Sequence, residues 1–170
     1  MTKERFIYFV EGETEKLLVN TLKSEMKLIE SGSVKKFNVI QDLIKNSNLI
    51  DIKPGYIVIL IFDTDVQNTD ILLKNINILN KSSIIKDVIC IPQVLNFEDE
   101  LIRSCSIKKI IELTSSKSVK DFKRDFCKFT PIRLKSTLEK RKFDIDLLWN
   151  QNPKGDFKTI ENKSKKIKNK

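Results

Sequence analysis

Tyr56-Ile57-Val58-Ile59-Leu60-Ile61-Phe62 runs without a charged residue into Asp63-Thr64-Asp65. Apolar side chains that do not alternate with polar ones predict a strand buried on both faces, as in a parallel sheet covered by helices on each side. Pro54-Gly55 marks the turn before it. A second run of this kind, Arg-Phe-Ile-Tyr-Phe-Val over residues 5–10, predicts a first strand, and it ends in Glu11-Gly12. Both runs therefore end in acids. In an open parallel sheet the carboxyl ends of the strands share one edge, and ligands bind there. If the two strands are neighbours, Glu11 and Asp63 lie side by side, and Asp65 can turn to the same face.

The rest of the first hundred residues supports this reading. Leu17, Leu18, Leu22 and Met26 recur at helical spacing and predict a helix over 14–27. Ser31-Gly32-Ser33 reads as a turn, 34–40 as a strand and 42–49 as a short helix. A helix over 68–80 and a strand over 87–92 follow. Strands alternating with helices predict α/β architecture: a Rossmann-like, mainly parallel sheet of about four strands flanked by helices. Beyond residue 96 the pattern becomes helical, over 97–105, 107–113, 119–126 and 132–141, with Ser118 as a cap and Pro131 at a helix start. The organisation expected is an α/β domain over 1–100, a basic helical extension over 101–157 packed on it, and a Lys-rich, disordered tail over 158–170.

Composition narrows the chemistry. The chain has no histidine, which removes histidine triads, histidine zinc sites and histidine general bases. Its three cysteines are widely spaced with no CxxC pair, so reduced and mostly buried thiols are expected. No signal peptide and no apolar run long enough to span a bilayer is evident, so a cytoplasmic protein without membrane attachment is expected. The net charge of +9 is uneven: residues 1–99 hold 12 Lys/Arg against 14 Asp/Glu, and residues 100–170 hold 20 against 9. An acidic half joined to a basic half suits a protein that places a metal beside a polyanion such as DNA or RNA. Lys108, Lys109, Lys120, Lys123, Arg124, Arg133 and Lys135 are the candidate phosphate contacts; the alternative is ordinary solvated helix faces.

Clustered carboxylates repel each other and are stabilised by a divalent cation between them. Oxygen donors without nitrogen or sulfur point to Mg²⁺ or Mn²⁺. Such a metal can activate water and steady a leaving oxygen at a phosphodiester.

Glu11-Gly12-Glu13-Thr14-Glu15 after one strand, and Asp63-Thr64-Asp65 after a later one, resemble the glutamate and DxD motifs of the TOPRIM (topoisomerase-primase) domain. The resemblance covers about residues 4–100 and is closest to stand-alone nuclease-like members of the OLD/RloB-like kind. It implies a metal-dependent nuclease with Glu11, Asp63 and Asp65 catalytic and metal-binding. Glu15, one helical turn beyond Glu11, either joins the site or, like Glu13, serves the helix dipole. Asn96-Phe97-Glu98 follows the fourth strand, as a similar segment does in RloB-like proteins. Glu98 is then a further ligand, or part of a helix-start cluster capped by Asn96. Val66 departs from members with glycine after the DxD. Tyr8 and Tyr56 both fall inside predicted buried strands, which argues against a topoisomerase. Family background adds phage defence, and the small size adds a partner ATPase or a second copy of the chain. Two alternatives stand beside the nuclease: a non-catalytic or partner-dependent nucleic-acid-binding subunit, and a phosphatase of the haloacid dehalogenase type with Asp63 as nucleophile. The phosphatase leaves the Glu11–Glu15 motif unexplained.

Overall fold

A computed structural model describes residues 4–169. Four parallel strands, β1 (Arg5–Val10), β2 (Gly32–Lys36), β3 (Tyr56–Asp63) and β4 (Ile85–Gln93), form one sheet in the order β2-β1-β3-β4. The helices are α1 (Glu13–Asn20, running on through a π turn at Thr21–Glu25), α2 (Asn46–Leu49), α3 (Asp70–Lys81), α4 (Phe97–Ser104), α5 (Ile111–Thr114), α6 (Val119–Phe126) and α7 (Pro131–Lys140). The α/β class and the parallel sheet are as the sequence predicts.

The unbroken apolar runs have a direct structural cause. Alternate residues of a strand point to opposite faces. Tyr8, Val10, Ile59 and Ile61 pack on one face with Phe97, Phe122, Leu134 and Trp149 from the C-terminal half. Phe9, Val58, Leu60 and Phe62 pack on the other with Leu72 and Leu79 of α3. Both faces are dry, so neither strand alternates. The basic helices after residue 97 share their core with the sheet.

Three local expectations change. Gly32 is not in a turn: it starts β2 opposite Phe6, and a Cβ there would run into the Phe6 carbonyl. Residues 37–45, read as the end of a strand and the start of a helix, form a loop instead. Its anchor is Asn75, fully buried in α3, which accepts from the Ile44 N–H (2.7 Å) and donates to the carbonyls of Val39 (2.9 Å) and Asp42 (2.8 Å). The helix predicted over 107–113 starts later, as Ile111–Thr114, and stops where Ser115 turns left-handed (φ 57°).

The tail expected to be disordered over 158–170 is anchored to the fold at several points, as is Phe157 just before it. Phe157 stacks on Phe62 with ring centroids 6.0 Å apart, and Ile160 and Ile167 are buried. The Lys163 N–H donates to the Cys90 carbonyl (3.0 Å), and the Glu30 N–H to the Ile167 carbonyl (2.8 Å). Lys163 and Lys166 thus lie against β4, the edge strand of the sheet, while the last described residues bond to residues 28–30. Its lysines set the composition, but its few apolar residues set the conformation. The cysteines are unpaired; Cys90 and Cys105 are buried and Cys127 is exposed. Among the described residues, no helix is long and apolar enough to cross a membrane.

Candidate metal centre

β1 and β3 are hydrogen-bonded neighbours, with Phe9 opposite Leu60. Their ends therefore bring Glu11 beside Asp63. The Asp63 N–H donates to Glu11 Oε2 at 3.3 Å. The chain then turns at Gly12 into α1, where Glu15 lies one turn in and is only 4 % exposed. The turn is tight: a Cβ at Gly12 would lie 3.3 Å from Glu15 Oε2. Thr14 Oγ1 donates to that same oxygen at 2.8 Å. One carboxylate oxygen from each of Glu11, Glu15 and Asp63 lies within 4.8 Å of the others.

The electrostatics of this trio are unfavourable as it stands. Burial, then the charges of Glu11, Glu15 and Asp65, push the Asp63 carboxyl up to about 8, against a donor hydrogen bond from Gln93. Burial also raises Glu11, and Glu15 and Asp65 add to it, while the Asp63 N–H and the Asn38 amide pull it back. Asn38 Nδ2 donates to Glu11 Oε1 at 2.7 Å, and its Oδ1 is fixed by the N–H groups of Ile40 and Gln41. Three converging carboxylates without nitrogen or sulfur donors fit a hard divalent cation, whose charge would relieve the repulsion.

Glu15 joins the site, which the spacing alone left open. Glu13 does not: it is exposed and pairs with Lys36 at 2.6 Å. Asp65 is exposed and stands outside the compact trio. It lines an adjoining cleft of about 480 Å³ together with Asp63, Glu98, Lys108, Lys109 and Lys123. Asn96 caps α4 by accepting from the Asp99 N–H (3.0 Å), as the capping alternative expects. Glu98 is also turned to the cleft, where it pairs with Lys123 at 3.4 Å.

The basic candidates divide. Lys108, Lys109 and Lys123 face the carboxylate cleft. Burial works against the charge of Lys123, but Glu98, Glu15 and Asp63 outweigh it and raise its pKa. Arg124 is instead held by Asp121 (3.0 Å) and Asp125 (3.3 Å). Arg133 lies over the Phe129 ring, 4.3 Å from its centroid, and Lys135 reaches the Glu25 carbonyl at 3.3 Å. Lys120 is exposed, with no side-chain ion pair found among the described residues. The seven candidates thus do not form one phosphate-binding face.

Three residues at the site escape the sequence reading: Asn38, Gln93 and Trp149. Gln93 Nε2 donates to Asp63 Oδ1 at 2.7 Å, and Trp149 Nε1 donates to Gln93 Oε1 at 3.3 Å. Asn38 and Gln93 had an available signal, since each lies at or just past the carboxyl end of a strand. Trp149 had none, because it arrives from a distant part of the chain. Comparison with protein-family models, with curated proteins and with solved structures finds no match to this chain.

Proposed function

We propose that this chain is a nuclease of TOPRIM type that cuts DNA or RNA with Mg²⁺ or Mn²⁺. The observation that carries the reading is the convergence of the Glu11, Glu15 and Asp63 carboxylates at the carboxyl edge of the sheet. Glu11 and Asp63 come from the two motifs that resemble TOPRIM, while Asp65, the second acid of the DxD, stands outside the trio.

The donor set fits a hard cation, with Glu11, Glu15 and Asp63 as its holders. When bound, such an ion polarises a phosphate oxygen and lowers the pKa of a water. The protein's own groups do the rest. Asn38 and the Asp63 N–H orient Glu11. Glu11 is also the general acid/base that the TOPRIM resemblance implies, the group that would take a proton from the attacking water. Lys108, Lys109 and Lys123, across the adjoining cleft, are placed to hold the phosphates of the substrate strand. A phosphatase with Asp63 as nucleophile is the poorer fit, because it gives Glu11 and Glu15 nothing to do.

The test is cleavage of labelled single- and double-stranded DNA and RNA with Mg²⁺, Mn²⁺ or EDTA, comparing wild type with Asp63→Asn plus Glu11→Gln. Metal-dependent cutting that falls by about 10²-fold or more in the double variant supports the reading. No cutting of any substrate by a wild type that still binds the cation would move the assignment to a partner-dependent or non-catalytic subunit.

A further inference from the structure

The hydrogen bonds behind the carboxylates do not stop at Asp63. Gln93 is the last residue of β4 and sits opposite Asp63 in the sheet register. Its side chain is fully buried, with Nε2 on Asp63 Oδ1 and Oε1 on the indole N–H of Trp149. The direction of this chain is fixed by chemistry. An indole N–H can only donate, so the Gln93 oxygen must face Trp149 and its NH₂ must face Asp63. A flipped amide would put oxygen against carboxylate oxygen and nitrogen against the indole N–H.

Trp149 is itself held from several sides. It is 1 % exposed and takes a left-handed backbone conformation (φ 53°), which a bulky residue adopts only under constraint. Its N–H donates to Glu100 Oε2 at 2.8 Å. Its carbonyl accepts from Asn162 Nδ2 (2.9 Å) and Ser164 Oγ (2.7 Å). Glu100 is fully buried, and its other oxygen accepts from the Val94 N–H (2.8 Å) and from Arg103 (2.6 Å).

We propose that Gln93 and Trp149 are positioning residues for the cation site: the indole fixes the Gln93 amide, and the amide fixes which way the Asp63 carboxylate points. The C-terminal segment thereby sets the affinity of a site to which it contributes no ligand. This rests on the reading that Glu11, Glu15 and Asp63 hold a divalent cation. Partners of this kind orient ligating carboxylates, and their loss typically weakens metal binding about 10- to 100-fold.

The experiment is Mg²⁺ titration of the full chain by calorimetry, for wild type, Asp63→Asn, Gln93→Met, Trp149→Phe and the Gln93→Met/Trp149→Phe double variant. Near-UV circular dichroism checks packing. Wild type should bind and Asp63→Asn should not, which tests the site separately from the relay. Each single relay variant should bind about tenfold more weakly. The double variant should be no weaker than Gln93→Met, because both changes break one chain. Trp149 is the only tryptophan, so its emission should also shift on Mg²⁺ binding in wild type and not in Gln93→Met. Affinities within twofold of wild type in the folded single variants overturn the relay and leave the cation site standing. Multiplicative losses in the double variant overturn it too. A wild type that takes up no Mg²⁺ overturns the cation reading, and the relay with it.

Discussion

The Glu11 carboxylate accepts a hydrogen bond from the Asp63 N–H, 3.3 Å away across the seam between β1 and β3. Residues fifty-two positions apart are joined because two apolar strands pair in parallel and both end in acids. The same pairing crowds their charges. The site therefore carries a cost to folding that a cation would offset, and this has consequences in stability as well as in activity.

The first is a pH dependence of stability. A carboxyl whose pKa is raised in the folded chain holds its proton more tightly there than in the unfolded chain. The stability it contributes is full below its ordinary value of 3.8 and is lost as pH rises toward about 8. In EDTA, the melting temperature should therefore fall through this range. Asp63→Asn, which cannot ionise, should flatten that fall and melt a few degrees above wild type near pH 8. Excess Mg²⁺ should raise wild type and leave the variant nearly unmoved. Thermal melts at several pH values, with and without Mg²⁺, check all three outcomes.

The second concerns the two basic residues next to each other on α6. Lys123 faces the carboxylate cleft, whereas Arg124 is occupied by Asp121 and Asp125. Lys123→Met should weaken binding to a labelled single strand and reduce the slope of log affinity against log salt by about 0.7, the single-strand loss for one phosphate contact. Arg124→Met should leave that slope unchanged. Fluorescence anisotropy over a salt series separates them.

The third concerns the C-terminal segment. Ile167 is fully buried and its carbonyl bonds the Glu30 N–H. Ile167→Ala should cost about 2–5 kcal/mol, the usual range for removing a buried isoleucine side chain. A disordered tail would show no loss. Urea unfolding of the variant measures the difference.

Much of this was legible in the sequence, and the misses have a common origin. The features that show in the structure as expected advertise themselves locally: β3 by its unbroken apolar run, and the side-by-side placement of Glu11 and Asp63 by the points where such runs stop. Glu15 was ambiguous, since an acid in a first helical turn serves the dipole equally well, and only its burial against Asp63 decides. Gln93 and Asn38 carry only the weak signal of a strand end, and Trp149 carries none, because all three work through contacts between distant segments. Lysines dominate the composition of the segment after residue 157, while buried Ile160, Ser164 and Ile167 hold it to the rest of the fold. The basic helices illustrate the same limit: Lys123 and Arg124 are adjacent in sequence but differ entirely in what they face.

The most direct measurement is a crystal of the full chain soaked in Mn²⁺, with anomalous diffraction data collected to locate the ion. A peak is expected at the bonding distance of a small hard cation, about 2.0–2.1 Å, from oxygens of Glu11, Glu15 and Asp63. A peak held only by Asp65, Glu98 or Asp99, or no peak at a Mn²⁺ concentration that saturates binding in solution, would contradict it.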